Sequence, residues 1–198
     1  MKNPQPRLRK QGYTLLELLI TVAIITILAT LSLPALYPPE QKEAEQVFVQ
    51  MGALVSAARA AAIDRHISVV ICPTDNMESC SNDWNTGVLV FIDNNQNRQL
   101  DQSESIIERS VWGGAPSASS NSLRGTLHWR VFGNRQSIYI SPLGEISDQN
   151  GNLTWCPPSG SSVTPHQMVL NSSGRIRLAV DQNGDGLRED SQGRPISC

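Results

Sequence analysis

Glu17 places a carboxylate at the head of an apolar run, because no residue from Leu18 to Pro39 carries a charge. About 20 such residues cross a bilayer core as a helix. A carboxylate there is costly in lipid and calls for a cationic partner, or it complements the positive end of the helix dipole near the headgroups. Towards the other end of the chain, Gly174-Arg175-Ile176-Arg177 follows a turn signal. In an extended strand Arg175 and Arg177 project on one face about 7 Å apart, near the per-strand phosphate spacing. Two guanidinium forks so placed can grip a nucleic-acid backbone without reading bases. Arg188 and Arg194 could extend the track. The alternative is a surface strand whose arginines pair with Asp181, Asp185 or other nearby carboxylates.

Two acidic loops have the spacing of cation ligands. Asp93, Asn95, Asn97, Gln99, Asp101 and Glu104 occupy relative positions 1, 3, 5, 7, 9 and 12 of an EF-hand loop. Arg98 stands where that loop needs glycine, and a strand rather than a helix precedes it. Asp181, Asn183, Asp185 and Gly186 match the first half of the pattern, with Gln192 in place of the bidentate Glu. Asn- and Asp-rich turns produce the same composition, so neither a metal nor a cofactor is expected. Cys72, Cys80, Cys156 and Cys198 allow three disulfide pairings. The favoured one closes a short loop through Cys72–Cys80 and ties down the C-terminal segment through Cys156–Cys198. No C-x-x-C spacing points to zinc. His66, His128 and His166 lack metal-ligand spacing, and no G-x-S-x-G, phosphate loop or H-E-x-x-H occurs. The chain reads as a non-enzyme.

The elements that must position these residues follow from periodicity. Lys2, Arg7, Arg9 and Lys10 precede the apolar run and only Lys42 follows it soon after, which favours a cytoplasmic N-terminus. A cleavable secretory signal fits poorly, since the run exceeds an h-region of about 7–15 residues and no A-x-A site follows. Pro34 and Pro38-Pro39 should bend or interrupt the helix. Beyond them Val47, Phe48, Met51, Leu54, Val55, Ala58 and Ala62 recur on one helical face, which should be core. After Arg65 the period changes to short runs rich in β-branched and aromatic residues, at 67–72, 87–93, 105–111, 126–132, 137–141, 152–156, 167–171 and 175–180. These predict an antiparallel β domain. Asn171-Ser172-Ser173-Gly174 reads as a hairpin turn, and Gly113–Gly125 as an exposed loop.

The basic leader, Gly12, Tyr13, Thr14-Leu15-Leu16-Glu17 and the apolar helix together resemble the prepilin signal of type IV pilins and type II secretion pseudopilins. The resemblance implies that a prepilin peptidase cuts between Gly12 and Tyr13 and methylates the new amino terminus. It also implies that Glu17 pairs with the terminal ammonium of a neighbouring subunit. Further on, Val70-Ile71-Cys72-Pro73, Cys80, Trp84, Gly87 to Asp93, Asp101 and Glu104 resemble the GspH/FimT group of minor pilins and pseudopilins. So do Ser141-Pro142-Leu143-Gly144, Leu153-Thr154-Trp155-Cys156 and Ser173-Gly174-Arg175-Ile176-Arg177. The implied fold is α+β, a long N-terminal helix laid on an antiparallel β domain. The implied layout is a leader at 1–12, a membrane and filament-core helix at 13–36, and a periplasmic domain at 37–198 whose helix ends near 65. The segment from Asp181 to Cys198 runs past the family pattern.

The same resemblance implies partners: other pilins, the peptidase and an inner-membrane assembly platform, with the filament carried to the cell surface. The run Gly174-Arg175-Ile176-Arg177 is also similar to the G-R-x-R segment of DNA-binding FimT-type pilins, which implies DNA uptake through phosphate contacts. A priming or capping subunit, or a secretion pseudopilin, shares the signal without binding DNA. Without residues 1–12 the chain holds 12 Lys and Arg against 18 Asp and Glu, a formal charge of −6. That excludes a globally basic nucleic-acid binder and leaves room for a local patch.

Overall fold

Thr14 sets where the first helix begins. Its carbonyl accepts from Leu18 N at 3.2 Å and its hydroxyl from Glu17 N at 3.3 Å, which satisfies amides the first turn leaves free. The computed structural model describes residues 13–32, 39–112, 123–131, 133, 135–146 and 150–198. The expectations for Gly12, for Pro34 and Pro38, and for most of the 113–125 loop therefore lie outside the described residues. The chain divides between Pro38 and Pro39 into two units.

In the first unit, α1 spans Leu15–Ser32. Thr21 and Thr26 return their hydroxyls to Leu18 O and Ala23 O at 2.9 and 2.8 Å, so neither presents an unpaired polar group to an apolar surrounding. From Tyr13 to Leu28 every side chain is exposed within this chain, Leu15 by 77% and Ile25 by 63%. A surface this apolar requires lipid or other protein to cover it.

The second unit opens with α2, Pro39–Arg65, whose first residue is a proline where a helix needs no donor. By length and composition α2 could also cross a membrane. Its expected stripe, with Ala44 added, is instead buried in the core of this unit. His66 stops it with a φ of 54°, and Ile67 N reaches back to Ala62 O at 3.1 Å. Eight strands follow among the described residues: β1 Val69–Thr74, β2 Gly87–Ile92, β3 Ile106–Val111, β4 Thr126–Val131, β5 Ile138–Ile140, β6 Gly151–Cys156, β7 His166–Leu170 and β8 Ile176–Leu178.

The strands form two four-stranded sheets, ordered β3-β2-β1-β5 and β4-β6-β7-β8, with each of these neighbouring pairs antiparallel. One core joins α2 to both: Met51, Val55, Val69, Val90, Trp155 and Met168 belong to it. Full burial of such side chains contributes about 1.5–3 kcal/mol each. The first sheet is covered on its other face as well, where Val70, Cys72, Leu89 and Phe91 pack with Leu100, Ile106 and Tyr139. That second cover explains why β1 is apolar at nearly every position instead of alternating.

Candidate functional site

At the head of α1, Glu17 occupies the third helical position after its Thr14 cap. Its side chain is exposed, and among the described residues its carboxylate makes no hydrogen bond or ion pair. Any cation that neutralises it comes from elsewhere.

The second sheet assembles the arginines. Pairing aligns Arg130, Asn152, Val169 and Arg177 in one row across β4, β6, β7 and β8. Their strand neighbours Leu153, Met168 and Leu170 face the core, so the row lies on the outer face. Arg175 joins by alternation, since its carbonyl still accepts from Asn171 N at 3.1 Å, which carries the ladder one residue past β8. The Cys156–Cys198 bridge brings the C-terminal segment across this face. Between sheet and segment lies an open groove of 680 Å³ lined by Arg130, Asn152, Gln167, Arg177, Asp190 and Arg194 among others.

Charge in the groove is uneven. Arg194 is committed: its Nε and Nη2 donate to Asp190 Oδ2 at 3.0 and 2.8 Å. The Arg194 amide, then the Gln192 amide, hold the Asp190 carboxyl below its ordinary range. Asp190 is the one carboxylate among the described lining residues. Arg130, Arg175 and Arg177 are exposed, and among the described residues no side-chain hydrogen bond or ion pair engages their guanidinium groups.

Two residues of the expected track lie apart from it. Arg188 donates from Nη1 to Thr164 Oγ1 at 2.9 Å and lines a separate pocket with Glu45, Phe48 and His166. Gly174 is buried with a φ of 76°, and a Cβ there would stand 2.3 Å from Arg59 Nε. Arg59 donates from Nε to Gly144 O at 2.8 Å and from Nη1 to Gly174 O at 3.3 Å, pinning two turns to α2. Glu43 does similar work at the other end of α2, accepting from Arg124 N, Gly125 N and Trp155 Nε1 at 2.9, 3.0 and 3.1 Å. Arg59, Arg130 and Glu43 belong to none of the motifs in the sequence. Alternation along β4 does place Arg130 on the polar face, but its alignment with β8 depends on two intervening strands.

The other expectations resolve locally. Cysteines pair as Cys72–Cys80 and Cys156–Cys198. In the 93–104 loop, buried Asp93 accepts from the Asn97 and Arg98 amides, and Glu104 from the Asn94 and Asp101 amides. Asp101 Oδ2 accepts from the side-chain amides of Asn95 and Asn97, each at 2.8 Å. Those contacts make it a self-bonded turn. His66 ends α2, His128 shares a 3.2 Å hydrogen bond with Thr126, and His166 is buried against Phe48 and Trp155.

A family model described as type II transport protein GspH matches residues 50–174, and one described as the prokaryotic N-terminal methylation motif matches residues 7–33. No curated protein matches the chain. Two crystal forms of FimU, a type IV minor pilin of Pseudomonas aeruginosa, are similar in structure. One is 17% identical with a TM-score of 0.43, covering 70% of this chain and 90% of FimU. The other is 18% identical with a TM-score of 0.42, covering 70% and 86%. With both models matching in their expected order along one chain, the protein belongs to the GspH family and carries a prokaryotic N-terminal methylation motif at its first helix.

Proposed function

We propose that this chain is a minor pilin of a type IV pilus, placed towards the tip, whose β domain contributes to sequence-independent DNA binding and uptake in natural transformation. The observation that carries the reading is the set of exposed arginines, Arg130, Arg175 and Arg177, that share one sheet face without protein partners among the described residues. Guanidinium groups in such a row suit phosphate oxygens. On this reading a prepilin peptidase removes residues 1–12 and methylates Tyr13. The helix holds the subunit in the inner membrane with its domain in the periplasm, until an assembly platform moves it into the filament among other pilins.

A fragment starting at Pro39 is expected to bind duplex DNA of any sequence, with a log–log salt slope of about −2 to −3, as a few phosphate contacts require. Arg175→Ala with Arg177→Ala should abolish binding, Arg130→Ala should weaken it, and Arg188→Ala should leave it unchanged, all with melting temperatures near the parent's. Undiminished gel-shift affinity in the double variant sinks the site assignment. No binding by the parent at low salt sinks the DNA reading. In cells, lost transformation with pili intact supports DNA binding, whereas loss of all pili shows a priming subunit instead.

A further inference from the structure

The C-terminal segment carries a second constellation. Asp181, Asp185 and Glu189 each offer a carboxylate oxygen, and the three oxygens lie within 4.8 Å of one another. Two ligands of one calcium ion, each 2.3–2.6 Å from it, stand no more than about 5 Å apart. Among the described residues no cation pairs with any of the three.

Glu189 makes this more than an acidic turn. It is 1% exposed, and while its Oε2 accepts from Gln182 N at 2.7 Å, its Oε1 is buried with no hydrogen-bond partner. A buried carboxylate oxygen without a donor is costly and demands a physical reason. A cation shared with Asp181 and Asp185 supplies one.

The backbone is shaped for the same purpose. Asp181 accepts from Gly184 N and Gly186 N at 2.7 and 2.8 Å, Asn183 from Asp185 N at 2.9 Å and Asp185 from Leu187 N at 2.8 Å. Gly186 has a φ of 87° at the sixth position, where an EF-hand loop also needs glycine. After that the chain departs from the EF-hand. It becomes extended: Glu189 N bonds Val180 O at 3.2 Å and Glu189 bridges to Pro195. An extended segment returning beside the start of the loop delivers the carboxylate at position 9, where a helix delivers it at position 12 in an EF-hand. Gln192, at position 12, is therefore not the residue to judge the loop by.

We infer that the 181–189 loop is a calcium site held by Asp181, Asp185 and Glu189, with Asn183 and the Leu187 carbonyl as the remaining oxygen donors. The set is all oxygen, with no thiolate or imidazole, and so suits a hard cation. Bound calcium would clamp the base of the segment whose Asp190–Arg194 turn walls the arginine groove.

The test uses the full chain in detergent, stripped with chelator, and calcium alone as the probe. Calorimetry should show one ion per chain, the melting temperature should rise with millimolar calcium, and magnesium should bind at least about tenfold more weakly. Asp185→Asn, an exposed change, and Glu189→Gln should each weaken calcium binding about tenfold or more. Asp101→Asn, in the other acidic loop, should not alter it. Absence of both heat and melting shift in the parent overturns the proposal. So does full affinity in both tail variants, or loss of binding in Asp101→Asn.

Discussion

Glu17 and Gly174 show how differently single residues disclose their purpose. Glu17 interrupts an apolar run, and its lack of a partner among the described residues agrees with that local anomaly. Glu17→Ala is expected to leave leader cleavage largely intact but to impair incorporation into filaments, because the charge partner is lost. Shearing and immunoblotting would show it, and normal incorporation would refute it. Gly12→Val should act earlier and leave an uncut precursor. Gly174 looked like part of an arginine motif, yet its space belongs to Arg59. Gly174→Ala must strain a φ of 76° and displace the guanidinium, at a cost of about 1–3 kcal/mol in urea unfolding. Neither Arg59 nor Glu43 was legible beforehand, since their partners lie 81 to 115 residues away.

At the scale of elements, period told helix from strand because the apolar stripe of α2 and the short β-branched runs are local properties. The division into two sheets is not local. It depends on β5 returning to β1 while β4 pairs with β6, and nothing in either segment names its partner. β7 carries a further consequence, through His166. Burial first, then the charge of Arg188, lower its pKa from 6.5 to about 4, against a smaller opposing effect of Glu45. Between those values the unfolded chain takes up a proton that the folded chain refuses. The contribution of His166 to stability is therefore full above pH 6.5 and declines as pH falls towards 4, by up to about 3 kcal/mol. His166→Phe should remove that part of the pH dependence. Urea midpoints across this window that shift equally in parent and variant would exclude it.

For the molecule as a whole, the cysteines set which parts hold together. Spanning 42 residues, the Cys156–Cys198 bridge encloses β7, β8 and the entire C-terminal segment. Replacing both cysteines with serine should cost about 2–4 kcal/mol and loosen the groove wall carrying Arg194. Peptide mapping under non-reducing conditions that finds Cys198 unpaired would exclude the bridge. An even number of cysteines and an extracytoplasmic expectation made disulfides readable from the sequence and favoured this pairing among three, whereas the groove beneath it was not, because it needs sheet register and covering segment at once. The two bridges also differ in when they can form. Cys72 and Cys80 are eight residues apart, so closing their loop costs about 1.5 kcal/mol less chain entropy than closing the longer one. A chain emerging N-terminus first can seal the short loop while Cys198 is still on its way. Once it has done so, two of the three possible pairings no longer exist, and the last thiol to arrive finds a single partner waiting.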